Sequence, residues 1–184
     1  MASTLSARLR ENACIVHECD RMSAPDAIVD RVAEHARAHS GAVAVAPADS
    51  VVADLDLVAR LRDRGLELLT PDMQHWHDAL PGAAVGVTGA TLAVTEPAAL
   101  AVVAQPSVPR AISLLPPVHV CVLRAGDVVD TLAEALARFS GALPSALTWI
   151  GGPSRTGDLE MVQTLGVHGP IVVEVVIVGA QQRG

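Results

Sequence analysis

Short apolar runs punctuate the chain, and most are followed by a stretch whose apolar residues recur at helical spacing. Residues 5–12 read as a short amphipathic helix and residues 13–19 as a strand. Ser23 caps a helix over 25–39 that carries Ile28, Val29, Val32, Ala33 and Ala36 on one face, with Pro25 at its first position and Gly41 beyond its end. A short apolar strand over 42–46 precedes a helix over 54–64, which buries Leu57, Val58 and Leu61 and stops at Gly65; a strand over 66–69 follows. The less regular stretch 71–81 holds His75, Trp76 and His77 between two prolines and reads as a surface loop. Residues 84–89 combine glycine with apolar residues, and the apolar stretches 90–94 and 98–104 flank Thr95, Glu96 and Pro97. The strand over 118–123 follows Pro116 and Pro117, and Asp127 caps a helix over 128–139 that buries Leu132, Leu136 and Phe139. A strand over 146–150 runs into a polar loop over 151–160, which opens a helix to about residue 165. The last strand, 171–178, is apolar except for Glu174, which reads as one exposed or edge position.

Short apolar strands alternating with helices predict an α/β fold: a mainly parallel sheet with helices on both faces, Rossmann-like. The 184 residues fit a single domain, with 71–81 as the best place for a boundary between lobes. In such sheets, ligands bind beyond the carboxyl ends of the strands. Two segments follow apolar runs in the required way: Thr88 with Gly89, and the loop that begins at Gly151 and Gly152. Neither is a G-x-G-x-x-G dinucleotide fingerprint.

The loop is the most informative feature. Glycines allow close backbone approach to a ligand, and Arg155 between Ser154 and Thr156 forms a site for a small anionic ligand. A helix start accounts for one hydroxyl and for Asp158 and Glu160 in a first turn, but it leaves Arg155 at the unfavourable, positive end. His168, farther along, is an acid/base candidate. Glu96 is the lone charge between Asp78 and Arg110, so it marks either an exposed turn or a placed carboxylate.

Composition narrows the classes. A net charge of −7 with no basic cluster argues against nucleic acid, and 2% aromatics leave no stacking platform. All 13 basic residues are arginine, which excludes side-chain Schiff bases, a pyridoxal phosphate anchor and the lysine of a phosphate loop. Mean hydropathy is high at +0.40. Yet no apolar run approaches the roughly 20 residues of a membrane span, and residues 1–12 lack the apolar core of a signal peptide; both features point to the cytoplasm. Three cysteines, Cys14, Cys19 and Cys121, with no C-x-x-C, argue against a disulfide framework and an iron–sulfur cluster. Cys14 and Cys19 fall on opposite faces of their strand and cannot share a metal with His17. His35 and His39 share a helix face without a third ligand, and His119 sits among strand valines as a core residue. No cofactor or metal is expected on this chain.

Three stretches together resemble the lactate utilization protein C family, whose defining unit is the LUD domain. They are Val85-Gly86-Val87-Thr88-Gly89-Ala90, the Ser113 to Val120 stretch with Pro116, Pro117 and His119, and Gly152-Pro153-Ser154-Arg155-Thr156 with Asp158, Glu160 and Gly166-Val167-His168-Gly169-Pro170. The resemblance covers about the last hundred residues, and its third stretch is the specific one. It implies a fold like the sugar-phosphate isomerase and coenzyme A transferase superfamily. It also implies a part in oxidising L-lactate to pyruvate beside iron–sulfur partner proteins, which would carry the metal centres. One departure stands out: the family pattern places Glu-Thr-Gly where this chain has Thr95-Glu96-Pro97. The chain also starts late relative to longer members. Two further readings remain open. One is a stand-alone enzyme on an acyl, coenzyme A or phosphorylated substrate, with Glu96 as nucleophile or base, Arg155 as anion holder and His168 as acid/base. The other is a ligand-sensing or structural module, and either could be a homo-oligomer.

Overall fold

The computed structural model describes residues 2–141, 144–157, 163–165 and 168–179. In chain order the elements are α1 (Ala2–Glu11), β1 (Ile15–Cys19), α2 (Ala24–His39), β2 (Val43–Val45), α3 (Ser50–Asp54), α4 (Leu57–Asp63), β3 (Leu68–Leu69), α5 (Trp76–Ala79), β4 (Val85–Ala90), β5 (Leu92–Glu96), β6 (Ala99–Ala104), β7 (Val118–Arg124), β8 (Val128–Thr131), α6 (Leu132–Ala137), β9 (Ala146–Ile150), β10 (Arg155–Gly157), β11 (Gln163–Leu165) and β12 (Val172–Val178). Six strands form the main sheet in the order β1-β12-β7-β4-β2-β3, and every pairing in it is parallel. The α/β class with a mainly parallel sheet stands.

Both faces of this sheet are covered, so its strands are apolar almost throughout. Along β12 the side chains alternate. Val176 and Val178 join a core with Ile28, Val32, Leu57 and Leu61 of α2 and α4, while Val173, Val175 and Ile177 join a core with Leu5 and Leu9 of α1. That second core is closed by another sheet, ordered β8-β5-β6-β9, through Ala93, Leu100 and Ile150. This four-stranded sheet goes beyond the sequence expectation. The reason lies in Thr95, Glu96 and Pro97, which make the turn of an antiparallel hairpin between β5 and β6.

Four local expectations are corrected. Residues 128–131 are strand, because the β-branched Val128 and Val129 pair with β5 and are buried. Only Leu132–Ala137 is helical, with Thr131 Oγ1 accepting from the Glu134 N–H at 3.2 Å, and Leu132 and Leu136 are exposed. The helix expected over 54–64 is the shorter α4, and a separate helix, α3, precedes it across Asp56, whose φ of +52° no continuous helix tolerates. The start of α3 is capped by Asp49, which accepts from the N–H groups of Val51 and Val52. The helix expected to run to residue 165 is instead a small antiparallel pair, β10 with β11, where described, so Thr156 lies in a strand. In the 71–81 stretch, expected at the surface, Trp76 and Leu80 are buried with Ala44, Ala46 and Ile112.

The largest correction concerns Glu174. It is neither exposed nor at an edge; its side chain is wholly buried on β12, between β1 and β7. Three cationic or imidazole groups reach it. Arg31 Nε donates to Oε1 at 2.8 Å and His35 Nε2 lies 2.5 Å from Oε2, both from α2. His17 Nε2, on β1, stands 2.9 Å from Oε1 without the alignment of a hydrogen bond. His35, expected on an exposed helix face, is thus turned onto the sheet. A carboxylate without such partners would not remain ionised in this position. Burial alone raises the Glu174 carboxyl, but the hydrogen bonds from His35 and Arg31 and the Arg31 charge outweigh it and hold the group below the ordinary range.

Removing the charge while keeping the shape should strand Arg31 and His35 at the sheet. Glu174→Gln is expected to cost about 3 kcal/mol in urea unfolding at neutral pH. Because the folded carboxyl titrates below the ordinary value of 4.5, its contribution is complete above that pH and fades as pH falls further. The gap between the wild type and Glu174→Gln should therefore narrow in acid; a gap that is already absent at pH 7 would refute the role.

Candidate functional site

The sequence-derived site residues fall in two places. Thr88 and Gly89 lie toward the carboxyl end of β4, in register with Cys121 and Val122 of β7. Thr88 is buried, and its Oγ1 lies 2.8 Å from His119 Nε2. His119 is fully buried as expected, and its Nδ1 finds no partner among the described residues. Burial lowers its pKa to about 4, so the ring is neutral in the fold. The Gly89 N–H donates to Asp49 Oδ2 at 2.8 Å. A Cβ on Gly89 would come within 2.4 Å of Asp49 Oδ1 and 2.6 Å of Val51, so the glycine lets the loop before α3 close onto β4. Asp49, buried and bonded to three backbone N–H groups, was not singled out by sequence reasoning. Its signal is an acidic residue directly before Ser50 and an apolar helical turn.

The other residues gather at the amino ends of the strands. Glu96 is exposed at the β5–β6 turn, 3.5 Å from Arg8 Nη1, and the same Arg8 nitrogen donates to the Thr95 carbonyl at 3.2 Å. Gly151 and Gly152 leave β9 beside this turn. A Cβ on Gly151 would sit 3.4 Å from the Ala98 carbonyl, and one on Gly152 would be 2.5 Å from the Asn12 carbonyl. Gly152 thus lets the loop pass over the end of α1, whereas a side chain at Gly151 would make only ordinary contact. Asn12, Gly151, Gly152 and Pro153 line an open depression of about 330 Å³. Ser154 then ties the loop to the start of β12: its N–H donates to the Pro170 carbonyl at 3.0 Å, and its Oγ accepts from the His168 N–H at 3.4 Å. His168 is exposed. Arg155 and Thr156 form part of β10, while Asp158 and Glu160 lie outside the described residues.

The structure therefore brings Glu96 together with Gly151 and Gly152, and Ser154 with His168. It sets Thr88 and Gly89 apart, well up the sheet. The charge at Glu96 faces solvent and Arg8, an arrangement that suits binding or docking. Among the described residues, no helix is long and apolar enough to cross a membrane.

The LUD domain profile matches residues 2–178. The chain is 32% identical over 118 residues to lactate utilization protein C of Deinococcus radiodurans, covering 62% of this chain and 56% of that protein. It is 24% identical over 188 residues to lactate utilization protein C of Geobacillus thermodenitrificans, covering 95% of this chain and 78% of that one. Against the first relatives matched, the chain spans between 42% and 64% of their length. A crystal structure of a DUF162 family protein from Deinococcus radiodurans shares the fold, with a TM-score of 0.70, 22% identity and coverage of 97% of this chain and 96% of that one.

The buried His119 gives a pH test. Folded, it stays neutral down to about pH 4, whereas unfolded it takes a proton near 6.5. Below that value the unfolded chain binds the extra proton, so stability falls as the medium is acidified. His119→Gln should keep a partner for Thr88 and remove about 1–2 kcal/mol of the stability difference between pH 7 and pH 5. An unchanged pH slope in urea melts would show that His119 is not the group responsible.

Proposed function

The chain belongs to the LUD domain family, and on that premise we propose that it serves lactate utilization as an accessory protein, acting with iron–sulfur partner proteins in the oxidation of L-lactate to pyruvate. The observation that carries the reading is the match across residues 2–178 together with relatives that bear the name lactate utilization protein C.

The chemistry of the chain supports leaving electron transfer to the partners. Burial pushes the Cys121 thiol up to about 12, and burial with the nearby Asp20 charge raises Cys19 as well. Iron–sulfur ligation needs several thiolates together, and among the described residues no three His, Cys, Asp or Glu side chains are grouped to hold a metal. The chain brings the exposed Glu96 and Arg8 pair, the depression over Gly151 and Gly152, and the strand pair that begins at Arg155. These form one face at the amino ends of the strands, suited to a partner or a small anion.

A second reading takes the same face as the site of a stand-alone enzyme for an acyl, coenzyme A or phosphorylated compound. The exposure of Glu96 beside Arg8 favours it, since a carboxylate there is open to a substrate. Glu96 would be nucleophile or base, and His168 would move the proton.

Affinity purification of the tagged protein from its own lactate-grown cells, without oxygen, separates these readings. Iron–sulfur proteins in stoichiometric amounts are expected. Recovery of the chain alone would overturn the accessory reading. Glu96→Ala should leave the melting temperature unchanged, because the pair with Arg8 is exposed. If it also leaves partner recovery and every measured turnover unchanged, Glu96 has no part in either reading.

A further inference from the structure

The ligand end of a parallel sheet, beyond the carboxyl ends of its strands, lies opposite the face described above. A cavity of about 310 Å³ opens there among β1, β7 and β12. Its floor is apolar, made by Val51, Leu55 and Val178, all buried. Its rim is charged, with Arg21, Arg124, Asp54 and Asp127. We propose that this cleft binds a short-chain hydroxy or oxo acid, with the carboxylate on Arg21, the oxygen at the second carbon between Arg124 and the aspartates, and the alkyl end on the valines.

Each part of the cleft has an assigned position. Arg21 sits in a turn that Asp20 ties down: Oδ1 accepts from the N–H groups of Met22 and Ser23 at 2.8 and 2.9 Å, and Oδ2 accepts from Ser23 Oγ at 2.6 Å. Among the described residues no ion pair engages Arg21, so its guanidinium is available for a carboxylate. Arg124, the last residue of β7, is committed elsewhere. It donates to the Ser50 carbonyl at 3.2 Å, pairs with Asp54, and stands 3.7 Å from Asp127. It therefore fixes the rim and offers its remaining N–H groups to an oxygen. The aspartates can accept from a hydroxyl, but they would repel a second anionic group, so the rim suits a monoanion better than a dianion. Gly179, at φ +81°, lines the cleft, and its N–H closes onto the Cys19 carbonyl at 2.9 Å.

The cleft itself calls for a small monoanion with an apolar end, and the inference rests on the lactate reading for narrowing that to a hydroxy or oxo acid and for the probes. Titration calorimetry of the full chain with L-lactate, pyruvate and inorganic phosphate tests it, with Arg21→Ala and Gly126→Leu as variants. A Cβ on Gly126 meets nothing within 4 Å, so a leucine there can occupy the cleft without strain in the fold. Saturable binding of lactate or pyruvate is expected, at least tenfold weaker in Arg21→Ala and lost in Gly126→Leu, with both variants melting as the wild type does. Binding that survives both variants, binding of phosphate alone, or no binding by the wild type would each overturn the cleft. None of those results bears on partner recovery from cells, so the accessory reading stands or falls by its own experiment.

Discussion

A fully buried carboxylate holds α2 against the main sheet. Apolar packing alone would let a helix slide by a fraction of a turn over a surface of valines, because dispersion is not directional. Glu174 removes that freedom: Arg31 and His35 lie four residues apart on α2, and both reach the same carboxylate from one helix face. His17 brings the edge strand β1 to the same point. Once α2 is fixed in rotation and height, the turn before it is fixed as well. Through Asp20 that turn places Arg21 at the carboxyl end of the sheet.

The molecule keeps its two exposed polar faces at opposite ends of the parallel strands. At the amino ends, Gly152 lets a loop cross the end of α1 next to the Glu96 turn. At the carboxyl ends, two arginines and two aspartates rim an apolar floor. A chain can then meet a partner with one end and a small molecule with the other, without competition for the same side chains. The second sheet makes this separation, since β5 leaves the carboxyl end of β4 and carries the chain back to the Glu96 turn.

Much of the fold was legible because burial of both faces writes itself as continuous apolar runs, and the helix of α2 carries its Pro25 and its apolar stripe openly. What misled was local. A charge in a strand ordinarily faces water, so Glu174 read as an exposed position; its partners lie more than 130 residues away and no spacing betrays them. Val128 and Val129 preceded a helical pattern and were absorbed into it, although pairing with β5 decides their state. Gly151, Gly152 and Glu96, all conspicuous in the sequence, lie near one another in the fold, and their neighbourhood follows from the β6–β9 register. The rule that ligands lie past strand ends points equally to Arg21 and Arg124, which stand at the carboxyl ends of β1 and β7. The glycine-rich segments drew attention away from them.

The position of β12 has a consequence for how the protein is made. It lies between β1 and β7 in the main sheet, and Ile15 pairs with Glu174. β1 thus has no hydrogen-bonded neighbour in this sheet until β12, made long after it, emerges. Until then β1 presents bare amides and carbonyls, which is the hazard of any unpaired edge. Closing the sheet is then a late, long-range event of the kind that slows folding. The nascent chain consequently keeps β1 within reach of chaperones and of neighbouring copies until β12 is made.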